Sequence, residues 1–210
     1  MKYNRNFQDN IPAEMFNQTA NGITKWIEEN RELHDWAKDP NAYEMANVFL
    51  FAGKYAEEGN SIDKENLKRM WQLRSQDFEH CGIGRNHFVY QICEQAYQSA
   101  ISGKALVNDE YSHSALRKMA GVGLYVMQQK RDNVLDYNNL NELIDLIENS
   151  KMLKQKHPGL YDTLQFDKNL RVLYDLQITH LTEQDRKLLD MAYKQETAEA
   201  GKKENPEGQR

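Results

Sequence analysis

The residue types best suited to chemistry gather in one stretch, EHCGIGRNHFVYQIC, which runs from Glu79 to Cys93. It holds His80 and His87, both cysteines of the chain, Gly82 and Gly84 around Ile83, and Arg85 ahead of an apolar run. Three readings compete for it. Zinc would draw on His80, Cys81, His87 and Cys93, but structural zinc ligands come in close pairs that converge on one ion. Here they are adjacent, then six residues apart, then six again. Cys93 also shares a helical stripe with Phe88, Val89, Ala96 and Tyr97, where a free cysteine is ordinary core. Asp77, His80, Cys81 and His87 are the weaker metal candidates that remain, and no metal or cofactor is expected.

An anion site suits the same residues better. Gly82 and Gly84 remove side chains, Arg85 offers a fork of donors, and Asn86 stands where a helix with unpaired amides would begin. His87 would add positive charge below neutral pH. The plainest reading is a turn: the glycines end one helix and Asn86 caps the next. G-x-G has phosphate-binding meaning after a strand, and here a helix precedes it.

Other clusters have similar plain readings. Asp77 with His80, and Glu110 with His113, are carboxylate–histidine pairs three residues apart. A di-iron bundle needs two E-x-x-H pairs and two further inward glutamates on long helices, whereas Asp77 is short and Glu110 reads as loop. EENRELHDW groups Glu28, Glu29, Glu32, His34 and Asp35, and reads as a solvated helix face. No G-x-S-x-G, Walker A, H-E-x-x-H or kinase pattern occurs. No nucleophile–base pair is nominated, so a catalytic role is not expected.

These residues must be positioned by helices. Pro12 opens a short helix to Ala20, and Gly22 interrupts before a second, from Ile23 to Ala37, whose stripe includes Trp26 and Ile27 with Trp36 beside it. Asp39-Pro40 then serves as cap and first turn for Asn41 to Glu58, which contains MANVFLFAGKYA and is apolar on nearly all sides. That helix is the expected centre of the fold and, if incompletely covered, the source of self-association. Gly59 ends it, and Ser61 or Asp63 caps a helix with Leu67, Met70, Trp71 and Phe78 on one stripe.

From Phe88 to Ile101 apolar pairs recur every four residues, and Gly103 stands at the C-terminal end. Ser112 or Ser114 caps the next helix, which must accommodate Gly121 and Gly123. Residues 138–156 are helical, and KHPG breaks them. Between Leu160 and Leu181 strand and helix periods coexist, and helix is preferred because a lone strand has no partner. Thr182 with Asp185 caps a last helix to about Thr197.

The fold class is therefore all-α: a single irregular bundle of about seven or eight helices over 1–198, with 199–210 a disordered polar tail. No internal repeat is visible. The last capped segment, LTEQDRKLLDMAYKQ from Leu181, resembles the opening helix of the LuxR and sigma-factor region-four helix-turn-helix. The chain continues into ETAEAGKKENPEGQR instead of a recognition helix, so no major-groove reading follows from it.

Composition bounds the function. With 210 residues, 40% hydrophobic and 28% charged, the chain can build a core without staples. Two cysteines at unpaired spacing imply a reducing compartment. The N-terminus lacks a signal-peptide pattern and no run approaches membrane-spanning length, so a cytoplasmic protein without membrane contact is expected. The net charge of −5 disfavours indiscriminate nucleic-acid binding.

The middle of the chain is nonetheless mildly basic, with Lys64, Lys68, Arg69, Arg74, Arg85, Arg117, Lys118, Lys130 and Arg131. Aromatics interleave with these cations, among them Trp71, Phe78, Tyr97, Tyr111 and Tyr125; most lie on apolar stripes, whereas Tyr3, Tyr55 and Tyr90 are expected at the surface. The leading expectation is a non-catalytic interaction or regulatory module whose partner is another protein or itself. A nucleic-acid-binding accessory protein using 64–131 is second, and a metal- or anion-binding protein centred on 77–87 third.

Overall fold

The computed structural model describes residues 11–32, 41–132, 140–178 and 181–201, with side chains described over 11–32, 41–122, 140–176 and 181–194. Every regular element among them is helical: α1 (Ala13–Asn30), α2 (Ala42–Glu57), α3 (Lys64–His80), α4 (Phe88–Ser102), α5 (Glu110–Asp132), α6 (Leu140–Lys156), α7 (Pro158–Thr163), α8 (Phe166–Ile178) and α9 (Glu183–Gly201). The protein is all-α. Its contacts group into two compact units, Met1–Asp109 and Glu110–Arg210.

In the first unit α2 is the axle. Ala42, Ala46, Val48, Phe49 and Ala52 are fully buried, and Leu50, Phe51 and Tyr55 nearly so. Asn41 caps this helix from a left-handed conformation, its side chain accepting from the Glu44 amide. Asn41 therefore takes the cap anticipated for Asp39, which lies outside the described residues. α2 packs on α4 and α1, while α3 packs on α4 and α1. Gly53 sets the α2–α4 approach: a Cβ there would stand 2.6 Å from the Lys104 carbonyl oxygen and 2.8 Å from Ser99 Oγ. Phe49 meets Tyr97 edge-on at 5.4 Å and Trp71 at 6.1 Å, and Trp71 stacks on Tyr97 at 5.3 Å. Such ring pairs add to the area term.

Several expectations are corrected here. Gly22 does not interrupt; α1 runs through it without a break. One glycine costs about 1 kcal/mol in a helix, which burial of Phe16, Ala20 and Ile27 on one face outweighs. Trp26, placed on the buried stripe, is 48% exposed. Tyr55 and Tyr90, placed at the surface, are 5% and 4% exposed. The Tyr55 hydroxyl donates to the Ile11 carbonyl, which lets its ring enter the core. Tyr111 is the reverse case, 57% exposed. Residues 33–40, with Trp36 and Ala37, and Tyr3 lie outside the described residues.

In the second unit α6 is central, packing on α5, α7, α8 and α9. Leu143, Leu146, Ile147 and Leu153 are fully buried along it. α5 begins at Glu110, ahead of both serines proposed as its cap, and continues through Gly121 and Gly123. Ser112 is fully buried and Ser114 receives a 3.0 Å bond from the Asn149 amide.

The ambiguous 160–181 segment is helical but divided. Pro158 starts α7, and Gln165 at φ +50° turns the chain into α8. Leu170 and Leu173 are fully buried and Val172 is 42% exposed, so the helical period prevails over alternation. Thr182 opens α9 as the sequence indicates: the Asp185 amide donates to Thr182 Oγ1 at 3.2 Å, and Thr182 Oγ1 donates to the Asp185 carboxylate at 2.6 Å. α9 reaches Gly201, past the expected end near Thr197, and the tail from 202 lies outside the described residues.

Candidate interaction surface

The 79–93 stretch is built as a turn. Gly82 adopts φ +75°; its amide donates to the Glu79 carbonyl and the Ile83 amide to the Phe78 carbonyl at 2.8 Å. This paired reverse bonding is a Schellman closure, completed when Ile83 folds back on the last turn of the helix. Ile83 is 5% exposed and Phe78 fully buried. The same device closes α2 at Gly59 and α4 at Gly103.

The cap of α4 is His87 rather than Asn86, because the Val89 amide donates to His87 Nδ1 at 3.1 Å. Burial holds the His87 pKa below its ordinary value of 6.5. A ring nitrogen that accepts must be unprotonated. The charge anticipated on His87 for an anion is therefore opposed by both its bond and its environment. Gly84, Arg85 and Asn86 are exposed, and Arg85 reaches the Tyr90 phenol.

The weaker metal candidates are drawn to separate duties. Cys93 is fully buried, its thiol facing the Ala42 carbonyl, and burial pushes that thiol up strongly. His80 Nδ1 lies 2.7 Å from the Gln76 carbonyl, so that nitrogen donates. Cys81 sits at the C-terminal end of α3 and is partly exposed. Asp77 is 1% exposed and engages two arginines, with Arg31 Nη2 at 3.1 Å and Arg74 Nη1 at 3.7 Å. Burial raises the Asp77 pKa above the ordinary carboxylate value against the pull of Arg31, Arg74 and His80. Among the described residues no group of three or more His, Cys, Asp or Glu is placed to hold a metal ion. Glu110 opens α5 instead of lying in a loop, with His113 one turn later.

Among the described residues, most cations of the basic segment have a close partner. Lys64 donates to the Ile101 carbonyl at 2.7 Å, at the end of α4. Lys68 pairs with Glu65 at 2.5 Å, and Arg69 pairs with Glu28 of α1. Arg74 and Arg117 are 3% and 6% exposed. Lys118 pairs with Asp145 at 2.8 Å and Glu142 at 3.4 Å. The side chains of Lys130 and Arg131 lie outside the described residues. In the acidic EENRELHDW cluster, Glu28 is occupied by Arg69 and Glu29 lies 3.6 Å from Lys25, while His34 and Asp35 lie outside the described residues.

Among the described residues, two of the large apolar side chains left exposed sit on α1. Met15 is 51% exposed and Trp26 48% exposed, and between them on the same side lie Thr19 and Gly22. These four positions, spaced four, three and four, form one row along a helix. A Cβ on Gly22 would meet nothing within 4 Å. Lys25 and Glu14 flank the row and are exposed. On α9, Leu188 and Met191 form a shorter exposed pair, at 45% and 55%.

Of this row the sequence reading places only Trp26, on the buried stripe, and takes Gly22 as a break, so the row is not visible before the helix is seen to be continuous. A polar cleft of about 510 Å3 also opens between α1 and α3, lined by Asn21, Lys25, Glu28, Glu65 and Arg69 among others. Arg69 of α3 pairs with Glu28 of α1 across it. Among the described residues no helix is long and apolar enough to cross a membrane. No protein-family model matches the chain, and no curated protein or solved structure is significantly similar to it.

Proposed function

We propose that the protein is a non-catalytic helical interaction module, acting in the cytoplasm through the exposed row of α1. The observation that carries this reading is the exposure of two large apolar side chains, Met15 and Trp26, on one face of a helix whose other face is fully buried. Solvent-facing apolar area arranged in a row is more informative than the same area scattered singly. Aromatic and methionine side chains are enriched where proteins meet. The residues of chemical type support it from the other side: His87, His80 and Asp77 each have a defined structural task. Two free cysteines, Cys81 and Cys93, fit a reducing compartment.

The test is a comparison of partners. Immobilised wild-type protein and Met15→Glu are each exposed to an extract of the source cells. The wild type should retain a partner, or further copies of itself, that the variant releases while its circular dichroism is unchanged. Identical retention by the two proteins would remove α1 as the contact surface.

A further inference from the structure

We propose that the occupant of the α1 row is the α1 helix of a second copy, running antiparallel about a two-fold axis between Ala20 and Asn21; this rests on α1 being the contact surface.

The argument begins with the symmetry of the row. An interface between two identical copies around a two-fold axis uses one patch on both, so the patch must be complementary to itself. The spacing of Met15, Thr19, Gly22 and Trp26 reads the same in both directions, with large residues outside and small ones inside. When a second α1 is laid antiparallel, Met15 faces the other copy's Trp26 and Thr19 faces its Gly22. Small residues at the centre let two helix backbones approach closely, and the large pair at each end closes the contact. Within its own copy Gly22 serves no packing purpose: nothing lies within 4 Å of where its Cβ would be.

Charge agrees with this direction of pairing. Antiparallel helices set equivalent flanks against each other. Glu14 and Lys25 occupy one flank, both exposed. In the two-fold arrangement Glu14 lies about 3 Å along the axis from the other copy's Lys25, two residues of helical rise. The operation makes this contact twice. A parallel two-fold pairing would instead carry the Glu14 and Lys25 flanks of the two copies to opposite edges of the contact, so these charges would not meet. Antiparallel alignment also opposes the two helix dipoles.

Light scattering after size exclusion, over a concentration series to about 100 µM, reads the oligomeric state in the range where a weak dimer forms. The wild type should become dimeric. Gly22→Leu should be monomeric yet melt no lower than the wild type, because leucine favours helix over glycine and meets no neighbour inside one copy. Charge reversal then fixes the register. Glu14→Lys and Lys25→Glu should each weaken the dimer by roughly tenfold, and the double swap should restore it, since exposed ion pairs contribute little individually but here occur twice. A wild type that stays monomeric, a Gly22→Leu variant that stays dimeric, or a double swap no better than its parents overturns the proposal. If the wild type is monomeric but Met15→Glu still loses a different protein from the extract, α1 remains an interaction surface and only the second copy is removed as its occupant. If neither contact exists, both readings fall together.

Discussion

Helices α1 and α2 stand next to each other in the sequence and divide the work of the first unit in opposite ways. α2 is the oiliest stretch of the chain, and its oil is consumed internally: Phe49, Val48 and Ala46 are fully buried, and Gly53 is pressed against the Lys104 carbonyl. α1 is less apolar, keeps one buried face through Phe16 and Ile27, and leaves Met15 and Trp26 half in water. An all-round apolar helix is thus a poor guide to where a protein meets others. It indicates depth. A helix with large apolar side chains beyond its buried stripe has surplus, and the surplus is what another molecule can cover.

That contrast can be broken most directly by truncation. Phe49→Ala removes a fully buried ring that touches Trp71 and Tyr97, and should cost about 3–5 kcal/mol in a urea melt. Met15→Gln on α1 should stay within about 0.5 kcal/mol of the wild type. Equal costs would mean that α1's row is core after all. The glycines sharpen the same comparison. Gly53→Ala must move the Lys104 backbone and Ser99, and should cost about 1–3 kcal/mol. Gly22→Ala should instead gain up to about 1 kcal/mol. A neutral Gly53→Ala would show that α2 and α4 have room to separate.

Two titrations probe the ends of these helices. Asp77 receives Arg31, the residue that follows the last turn of α1. Its pKa in the folded protein is raised above 3.8, with burial as the largest cause. Just above the ordinary carboxylate value the native state still holds a proton that the unfolded chain has released. Stability should therefore fall as pH rises through that window, by about 1.4 kcal/mol for each unit separating the two values. Asp77→Asn, which does not titrate, should remove that slope. The opposite slope would mean that pairing with Arg31 and Arg74 outweighs burial.

His87 behaves in the reverse sense. Its folded pKa lies below 6.5, so as pH falls the unfolded chain takes up the proton first and stability declines through the range just below that value. Loss of the cap on α4, the helix that supports α2, should cost about 1 kcal/mol. His87→Asn caps without titrating, and should flatten the decline. A pH-independent wild type over that range would show that the imidazole is not the acceptor.

Much of the helical layout was legible from residue order. Asp63 accepts from the Asn66 amide, Thr182 and Asp185 bracket the start of α9, and Gly59, Gly82 and Gly103 all adopt the positive φ of helix ends. These are local devices, decided within four or five residues. Arg74 and Asp77 were also half legible, because they fall on the stripe defined by Leu67, Met70 and Phe78. Charges on an apolar stripe announce a buried pair. Arg31, the other cation on Asp77, was not legible, since it lies 46 positions away and depends on α1 meeting α3.

By itself, the sequence determined that this chain is helical and where most helices stop, because periodicity, caps and glycine conformations act over a single turn. Only the tertiary structure decided what each face meets. It engaged Lys64, Arg69 and Lys118 with nearby carbonyls and carboxylates, sent Tyr55 and Tyr90 inward, and left Met15 and Trp26 at the surface. The physical reason is that burial belongs to pairs of elements: a side chain is covered only when another helix arrives over it, and nothing within one turn of the chain can say whether it will.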